Sequence, residues 1–202
     1  MGVCYIVGAG DSVKLPEIKD GDLLIAADGG YDELMRQSLV PDLLIGDLDS
    51  IKEIPGDVEI LRHKVRKDET DMHLAYLYGA ERGYKDFFIT GGTGGRADHT
   101  FANYCLLLYI REQGGFARLA SREYDAYVIR NESFTFSGSE GKHFSVFAFA
   151  GNARGVSIKG SSYEADGANL EPSFPLGVSN AFLDTPVTVE VKEGALLLIL
   201  EK

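Results

Sequence analysis

Pro41-Asp42-Leu43-Leu44-Ile45-Gly46-Asp47-Leu48-Asp49-Ser50 is the stretch from which the rest of the chain can be read. A short apolar run, Leu43 to Ile45, ends in a glycine and then in two carboxylates spaced i, i+2. Alternate residues of an extended segment point the same way, so Asp47 and Asp49 converge on one point beyond the strand end. Crowded carboxylates repel unless a cation sits between them, and a few carboxylates are what Mg²⁺ takes when it also holds phosphates. The plain alternative is a pair of solvated or capping aspartates. Position favours the metal, because ligands of open α/β sheets lie beyond the carboxyl ends of strands. Asp71, from a second segment, is the natural third ligand. The chain therefore reads as a Mg-dependent phosphate enzyme.

Outward from this strand, the first two-thirds of the sequence alternates. Val3–Val7, Leu23–Ala27, Leu43–Ile45, Glu59–Leu61 and Phe87–Thr90 read as strands. Tyr31–Ser38, Asp71–Arg82 and Asp98–Gln113 read as helices. On the second helix Leu74, Ala75 and Tyr78 share a face. The third is apolar almost all round from Tyr104 to Ile110 and is expected to be buried. Such alternation predicts an α/β domain over 1–131 with a mostly parallel sheet covered by helices. From Glu132 helical periodicity disappears. Ser133–Phe136, His143–Phe149, Val156–Lys159, Val187–Lys192 and Ala195–Leu200 read as strands between Gly, Pro, Asn and Asp turns. A small antiparallel β-sandwich over 132–202 is expected.

Composition narrows the function. The chain has 202 residues, 45% hydrophobic and 25% charged, with a net charge of −11. A strongly acidic chain is not a general nucleic-acid binder, since phosphate-backbone binding needs a basic face. It can still hold a small phosphorylated ligand through a metal and a few local cations. No apolar run reaches the length of a membrane span, and Met1-Gly2-Val3-Cys4 lacks the basic start of a signal peptide. Cys4 and Cys105 lie in apolar contexts, read as two buried thiols of a cytoplasmic protein.

Three further motifs carry chemistry. Asp28-Gly29-Gly30 follows a strand and precedes a helix, where glycine amides suit an anion; Gly8-Ala9-Gly10-Asp11 is a similar turn. Asp28 has the wrong sign for direct phosphate contact and would act through a cation, a ribose hydroxyl or a backbone amide. Lys67-Asp68-Glu69-Thr70-Asp71 is partly a helix start: Thr70 caps it and Asp71 complements the dipole by roughly 0.3–1 kcal/mol. Capping does not explain Lys67, a cation at a helix N-terminus, which is expected to face a phosphate. Gly91-Gly92-Thr93-Gly94-Gly95-Arg96-Ala97-Asp98-His99 allows close backbone approach to an anion. Arg96 adds a planar fork for phosphate oxygens, and Asp98 stands where a nucleophile can be oriented. His99 reads as a structural residue of the first helical turn. Ser179-Asn180 alone reads as a turn, and Tyr163 and Phe182 as ordinary core aromatics.

Taken together, DGG at 28–30, PDLLIGDLDS at 41–50, KDETD at 67–71, GGRADH at 94–99 followed by FANYCLL, and SN at 179–180 resemble the thiamine pyrophosphokinase family over nearly the whole chain. The resemblance implies an α/β domain for ATP and Mg²⁺, and a β-sandwich for thiamine and dimerisation. It implies a homodimer with active sites between chains, and transfer of the diphosphate of ATP to the hydroxyl of thiamine. By motif it makes Asp47, Asp49 and Asp71 the metal ligands. Lys67, Arg96, Gly94 and Gly95 with the rest of the 91–95 loop would face phosphates. Asp28 with Gly29 and Gly30 would belong to the nucleotide pocket, and Asp98 would position thiamine. Ser179 and Asn180 would contact the thiamine pyrimidine from the partner chain. Some members stack a tryptophan on thiamine; this chain has none, and Tyr163 occupies the matching place, its ring able to stack on a cation. Two other readings stand beside this one: a diphosphokinase for another hydroxymethyl heterocycle such as a pterin, and a non-catalytic nucleotide or thiamine diphosphate sensor. Three converging carboxylates argue against the sensor, which has no need of them.

Overall fold

The computed structural model describes residues 2–46, 58–62 and 69–202. The chain forms two compact units, Met1–Leu106 with Gln113–Arg122, and Leu107–Glu112 with Glu123–Lys202. The first unit contains β1 (Val3–Val7), β2 (Leu23–Ala27), α1 (Gly30–Arg36), β3 (Leu43–Gly46), β4 (Glu59–Arg62), α2 (Asp71–Glu81), β5 (Asp86–Thr90), most of α3 (Ala97–Glu112) and β6 (Phe116–Ala120). Its strands run in the order β4-β3-β2-β1-β5-β6, and every neighbouring pair is parallel. Central strands of such a sheet are buried along their length, which is why they read as unbroken apolar runs. Ile6 pairs in register with Ile25 on one side and Ile89 on the other, and all three are fully buried. The edge strand β4 keeps Glu59 and Arg62 exposed, charges that discourage pairing with a further strand.

Helix α2 begins as the sequence predicts: the Thr70 hydroxyl accepts from the His73 N–H at 3.2 Å. Its inner face differs from the expected one. Met72, Ala75, Tyr76 and Gly79 are buried, not Leu74 and Tyr78. Gly79 sets this rotation. A Cβ there would lie 2.8 Å from the Cys4 sulfur, so the helix approaches β1 along the face that has no side chain. The Tyr78 ring is instead covered by the Arg82 guanidinium, 3.3 Å from its centroid. Helix α3 is not buried all round either. Leu106, Leu107 and Ile110 are buried, whereas Phe101, Cys105 and Tyr109 form an exposed stripe at i, i+4, i+8. Cys105 thereby departs from the expected pair of buried thiols. Cys4 conforms, and burial pushes its thiol up to about 12, which keeps it protonated and inert. Among the described residues no helix is long and apolar enough to cross a membrane.

The second unit is antiparallel. It holds β7 (Tyr124–Arg130), β8 (Ser133–Phe136), β9 (His143–Lys159), β10 (Ala165–Leu170), β11 (Asn180–Ala181), β12 (Val187–Glu190) and β13 (Glu193–Glu201). The segments read as separate strands at 143–149 and 156–159 are one strand of 17 residues. Ala150 and Gly155, both at positive φ, redirect it midway. Its first half pairs with β13 and β11, its second with β10 and β12. Side chains from both halves enter one core with Phe136, Phe182 and Leu198. Phe144 and Phe182 are 1% exposed, with ring centroids 4.9 Å apart. β6 and β7 had no clear sequence signature. In β6 the charged Arg118 interrupts the apolar run, its guanidinium resting 5.3 Å from the Phe88 ring centroid. Phe182→Ala should cost about 3–5 kcal/mol of stability, measured as a fall in the urea midpoint at unchanged slope.

Candidate active site

The cleft of the first unit follows from strand order. Chain progression runs β1 to β4 on one side of β1, then resumes with β5 on the other, so the switch point lies at the carboxyl ends of β1 and β5. Open parallel sheets bind ligands at such points. The loops leaving these two strands are the glycine turns 8–10 and 91–95. They are stitched together backbone to backbone: the Gly8 N–H donates to Thr90 O (2.8 Å), Gly10 N–H to Gly91 O (2.8 Å), Asp11 N–H to Thr93 O (2.6 Å) and Gly91 N–H to Asp11 O (3.1 Å).

This contact explains three of the six loop glycines in a way their motifs do not. A Cβ at Gly10 would sit 2.2 Å from Thr93 O, one at Gly91 2.0 Å from Gly8 O, and one at Gly8 2.6 Å from Gly91 O. These three glycines serve the contact between the loops. Gly95 differs: its φ is +65°, and a Cβ would meet nothing within 4 Å. Gly30 again packs structurally, a Cβ there lying 1.8 Å from Val7 O. Neither Gly29 nor Gly30 lines the cleft; Gly29 is the backbone N-cap of α1.

The cleft has a volume of about 630 Å³ and is lined by residues 8–10 and 91–94, Asp28, Glu69–Met72, Arg96, His99 and Asn103; Gly95 does not line it. It therefore joins three of the expected residues, Asp28, Asp71 and Arg96, with Gly94. Asp28 ends β2 with φ +48°, a left-handed conformation that a non-glycine residue keeps only where its surroundings over-determine it. Its N–H donates to Ile45 O at 2.7 Å. A Cβ on Gly46 would come within 3.2 Å of its Cα. Asp71 is the first residue of α2, where the helix N-terminus favours its carboxylate. These two carboxylates are hard oxygen donors of the kind Mg²⁺ selects, but among the described residues no group of three or more such side chains is placed to hold a metal ion. Asp47, Asp49 and Lys67 lie outside the described residues.

Arg96 and Asp98 form an exposed fork-to-carboxylate pair, Nη2 to Oδ2 at 2.6 Å and Nε to Oδ1 at 3.2 Å. The Arg96 hydrogen bond first, with help from the His99 N–H, holds the Asp98 carboxyl down to about 2. Asp98 does not itself line the cleft. Two residues that the motifs did not single out hold the loops. Asn103, buried in α3, donates to Gly92 O at 2.7 Å; a lone amide in the apolar run FANYCLL was the available signal. Asp11 accepts from Arg122 Nε at 2.8 Å and from the Arg122 N–H at 3.1 Å, and only the fold brings these two residues together.

In the second unit Tyr163 is 72% exposed and Phe182 is core, so Tyr163 departs from the core-aromatic reading and Phe182 follows it. Ser179 is exposed with φ +59°. Asn180 is buried, and its amide is bonded to Ser161, Tyr163 and Ala181. The expectation that it contacts a ligand meets an amide already occupied.

A parallel unit with an anion-suited glycine cleft at its switch point, joined to an antiparallel unit, defines a class of two-unit phosphate enzymes. The comparisons specify it. Residues 16–115 match the model described as thiamin pyrophosphokinase, catalytic domain. Residues 127–196 match thiamin pyrophosphokinase, vitamin B1 binding domain. The chain belongs to the thiamin pyrophosphokinase family. It is 25% identical over 210 residues to the thiamine pyrophosphokinase of Bacillus subtilis, covering 98% of each. The crystal structure of thiamine pyrophosphokinase from Bacillus subtilis superposes with a TM-score of 0.88 at 22% identity, over 99% of both chains. That of Candida albicans gives 0.76 at 15% identity, over 99% of this chain and 88% of that one.

Two predictions follow from the loops. Gly95→Ala meets open space and should cost only left-handed strain, about 1–2 kcal/mol, whereas Gly91→Ala must displace the Gly8 loop and should lower the melting temperature considerably more. A depressed carboxyl keeps its pair at all pH above the ordinary carboxylate range and loses it only as pH falls through about 2. Carbon-detected NMR should find Asp98 titrating there, and Arg96→Gln should return it to the ordinary range.

Proposed function

We propose that the protein transfers the diphosphate of ATP to the hydroxyl of thiamine, giving thiamine diphosphate and AMP. The observation that carries this is the cleft of about 630 Å³ bringing Asp28, Asp71 and Arg96 together, all three inside the segment matched by the family's catalytic domain. Its volume is that of an ordinary small-ligand site. In this reading residues 1–131 bind ATP and metal, and 132–202 bind thiamine and a second copy of the chain in a cytoplasmic homodimer. Leu176 and Val178, both exposed and close in sequence to Ser179, are apolar surface of the kind such an interface covers.

Asp47, Asp49 and Asp71 would hold Mg²⁺, with Asp28 beside them, and the ion when bound supplies positive charge against the triphosphate. The chain's own groups do the rest by placement and electrostatics. Arg96, Lys67 and the amides of the 91–95 loop bind the diphosphate that migrates. The thiamine oxygen forms its bond to the β-phosphorus as the bond from that phosphorus to the AMP oxygen breaks, and the hydroxyl proton is released to solvent. Asp98, held near 2, is a weak base and a good hydrogen-bond acceptor. It orients the hydroxyl, which suffices if the transition state is loose. Ser179 and Tyr163 offer surface to thiamine.

Purified protein with ATP, Mg²⁺ and thiamine should yield AMP and thiamine diphosphate in equal amounts, and neither without thiamine. ADP with thiamine monophosphate would place the attack on the wrong phosphorus. Preference for a pterin acceptor in competition, or thiamine binding without turnover, would transfer the assignment to a different acceptor or to a sensor. Asp71→Asn should lower kcat by on the order of 10²–10³ with the circular dichroism spectrum retained. Full activity in that variant would remove Asp71 from the metal site.

A further inference from the structure

Thr93 carries a hydroxyl that no group of the protein pairs. The residue is 3% exposed and stands in the cleft wall between Gly92 and Gly94. Its backbone is held by the other glycine loop. The Thr93 carbonyl accepts from the Asp11 N–H at 2.6 Å, and a Cβ on Gly10 would lie 2.2 Å from that carbonyl oxygen. Its side chain is not bonded. Oγ1 is buried and has no hydrogen-bond partner among the described residues. Two other buried polar side chains close by are paired. The Thr90 hydroxyl accepts from the Val13 N–H at 3.0 Å and donates to Ala120 O at 2.9 Å, and Asn103 donates to Gly92 O at 2.7 Å.

A hydroxyl buried without a partner destabilises the fold, and a valine of nearly the same shape avoids that loss. Packing alone therefore does not call for threonine here, and its place in the cleft supplies the reason. The same loop delivers Arg96 to the cleft and runs into the N-terminus of α3, a helix of 16 residues. A guanidinium and the positive end of a helix both favour an anion. A phosphate oxygen is a strong acceptor for a neutral hydroxyl, since bonds to a charged group are roughly twice as strong as neutral ones. The carboxylates of Asp28 and Asp71 reach the cleft from other segments and have the wrong sign for direct phosphate contact. Threonine χ1 has staggered positions, and a step of about 120° exchanges hydroxyl and methyl at the cleft wall.

We infer that Thr93 is a phosphate-binding residue of this cleft, its unpaired hydroxyl donating to a phosphate oxygen of the nucleotide. This deepens the proposed function and rests on the cleft taking a polyphosphate substrate. It gives the hydroxyl two effects of opposite sign: it weakens the protein alone and strengthens the complex.

Those two effects are measured on one pair of variants. Thr93→Val keeps the shape and removes the hydroxyl; Thr93→Ser keeps the hydroxyl. In calorimetry with Mg²⁺ present, Thr93→Val should bind both ATP and inorganic tripolyphosphate about tenfold more weakly, and Thr93→Ser should retain most of the affinity. Without nucleotide, Thr93→Val should melt about 2–4 °C above the wild type. A merely structural hydroxyl would instead lower the melting temperature and weaken binding together. The proposal is overturned by unchanged affinities in Thr93→Val, by a loss confined to ATP, which would assign the hydroxyl to the nucleoside, or by a melting temperature below the wild type, loss of the fold included. Wild-type protein that binds no tripolyphosphate would overturn it as well. Wild-type protein that binds ATP and tripolyphosphate but forms no thiamine diphosphate would remove only the reading of the reaction, and the Thr93 comparison would still decide the phosphate contact.

Discussion

The first unit depends on one contact, the backbone-to-backbone seam between the turn after β1 and the turn after β5. Four hydrogen bonds join segments about eighty residues apart in sequence, and three glycines leave the space that the seam requires. Each bond adds little net stability, on the order of 1 kcal/mol. Their joint effect is geometric: the two loops cannot move apart without breaking all four bonds. The same seam brings Gly94 and Arg96 opposite Asp28 and Asp71. Asn103 beneath Gly92 and the Asp11–Arg122 pair hold its two ends. A cleft built this way is formed before any ligand arrives, and preorganisation of that kind is what catalysis by positioning requires.

Charge is arranged economically in and around this cleft. The chain carries eleven more acidic than basic formal charges, yet the carboxylates that matter are placed individually. Asp71 lies at a helix N-terminus, Asp28 at a strained strand end, and Asp98 is neutralised by Arg96. That last pair keeps the guanidinium oriented at the cleft entrance and keeps Asp98 ionised. In the proposed reaction a carboxyl held this low would aim the nucleophile without removing its proton in advance.

The two units solve a similar problem by different means. In the first, three glycines remove the side chains that would hold two loops apart. In the second, a buried asparagine holds an exposed aromatic residue from below. In both, the backbone is bonded to a segment distant in sequence.

Much of this was legible in the sequence for a physical reason: strand period, apolar runs and turn residues are local properties. β1, β2 and β8 were read with their observed bounds, and the start of α2 at Thr70 followed from capping chemistry. Family membership rested on motif order, which is also linear. What the sequence could not determine were facts created by contact between distant segments. The inner face of α2 was decided by Gly79 against Cys4, and the exposure of Phe101, Cys105 and Tyr109 by which side of α3 meets a neighbour. The continuity of β9 was decided by two left-handed residues. The partners of the glycines at 8, 10 and 91 and of Asn180 were equally hidden, because a motif records which residues are present and not which groups they bond. Burial and hydrogen-bond saturation belong to the folded chain, since both depend on what packs against a residue from elsewhere in the sequence.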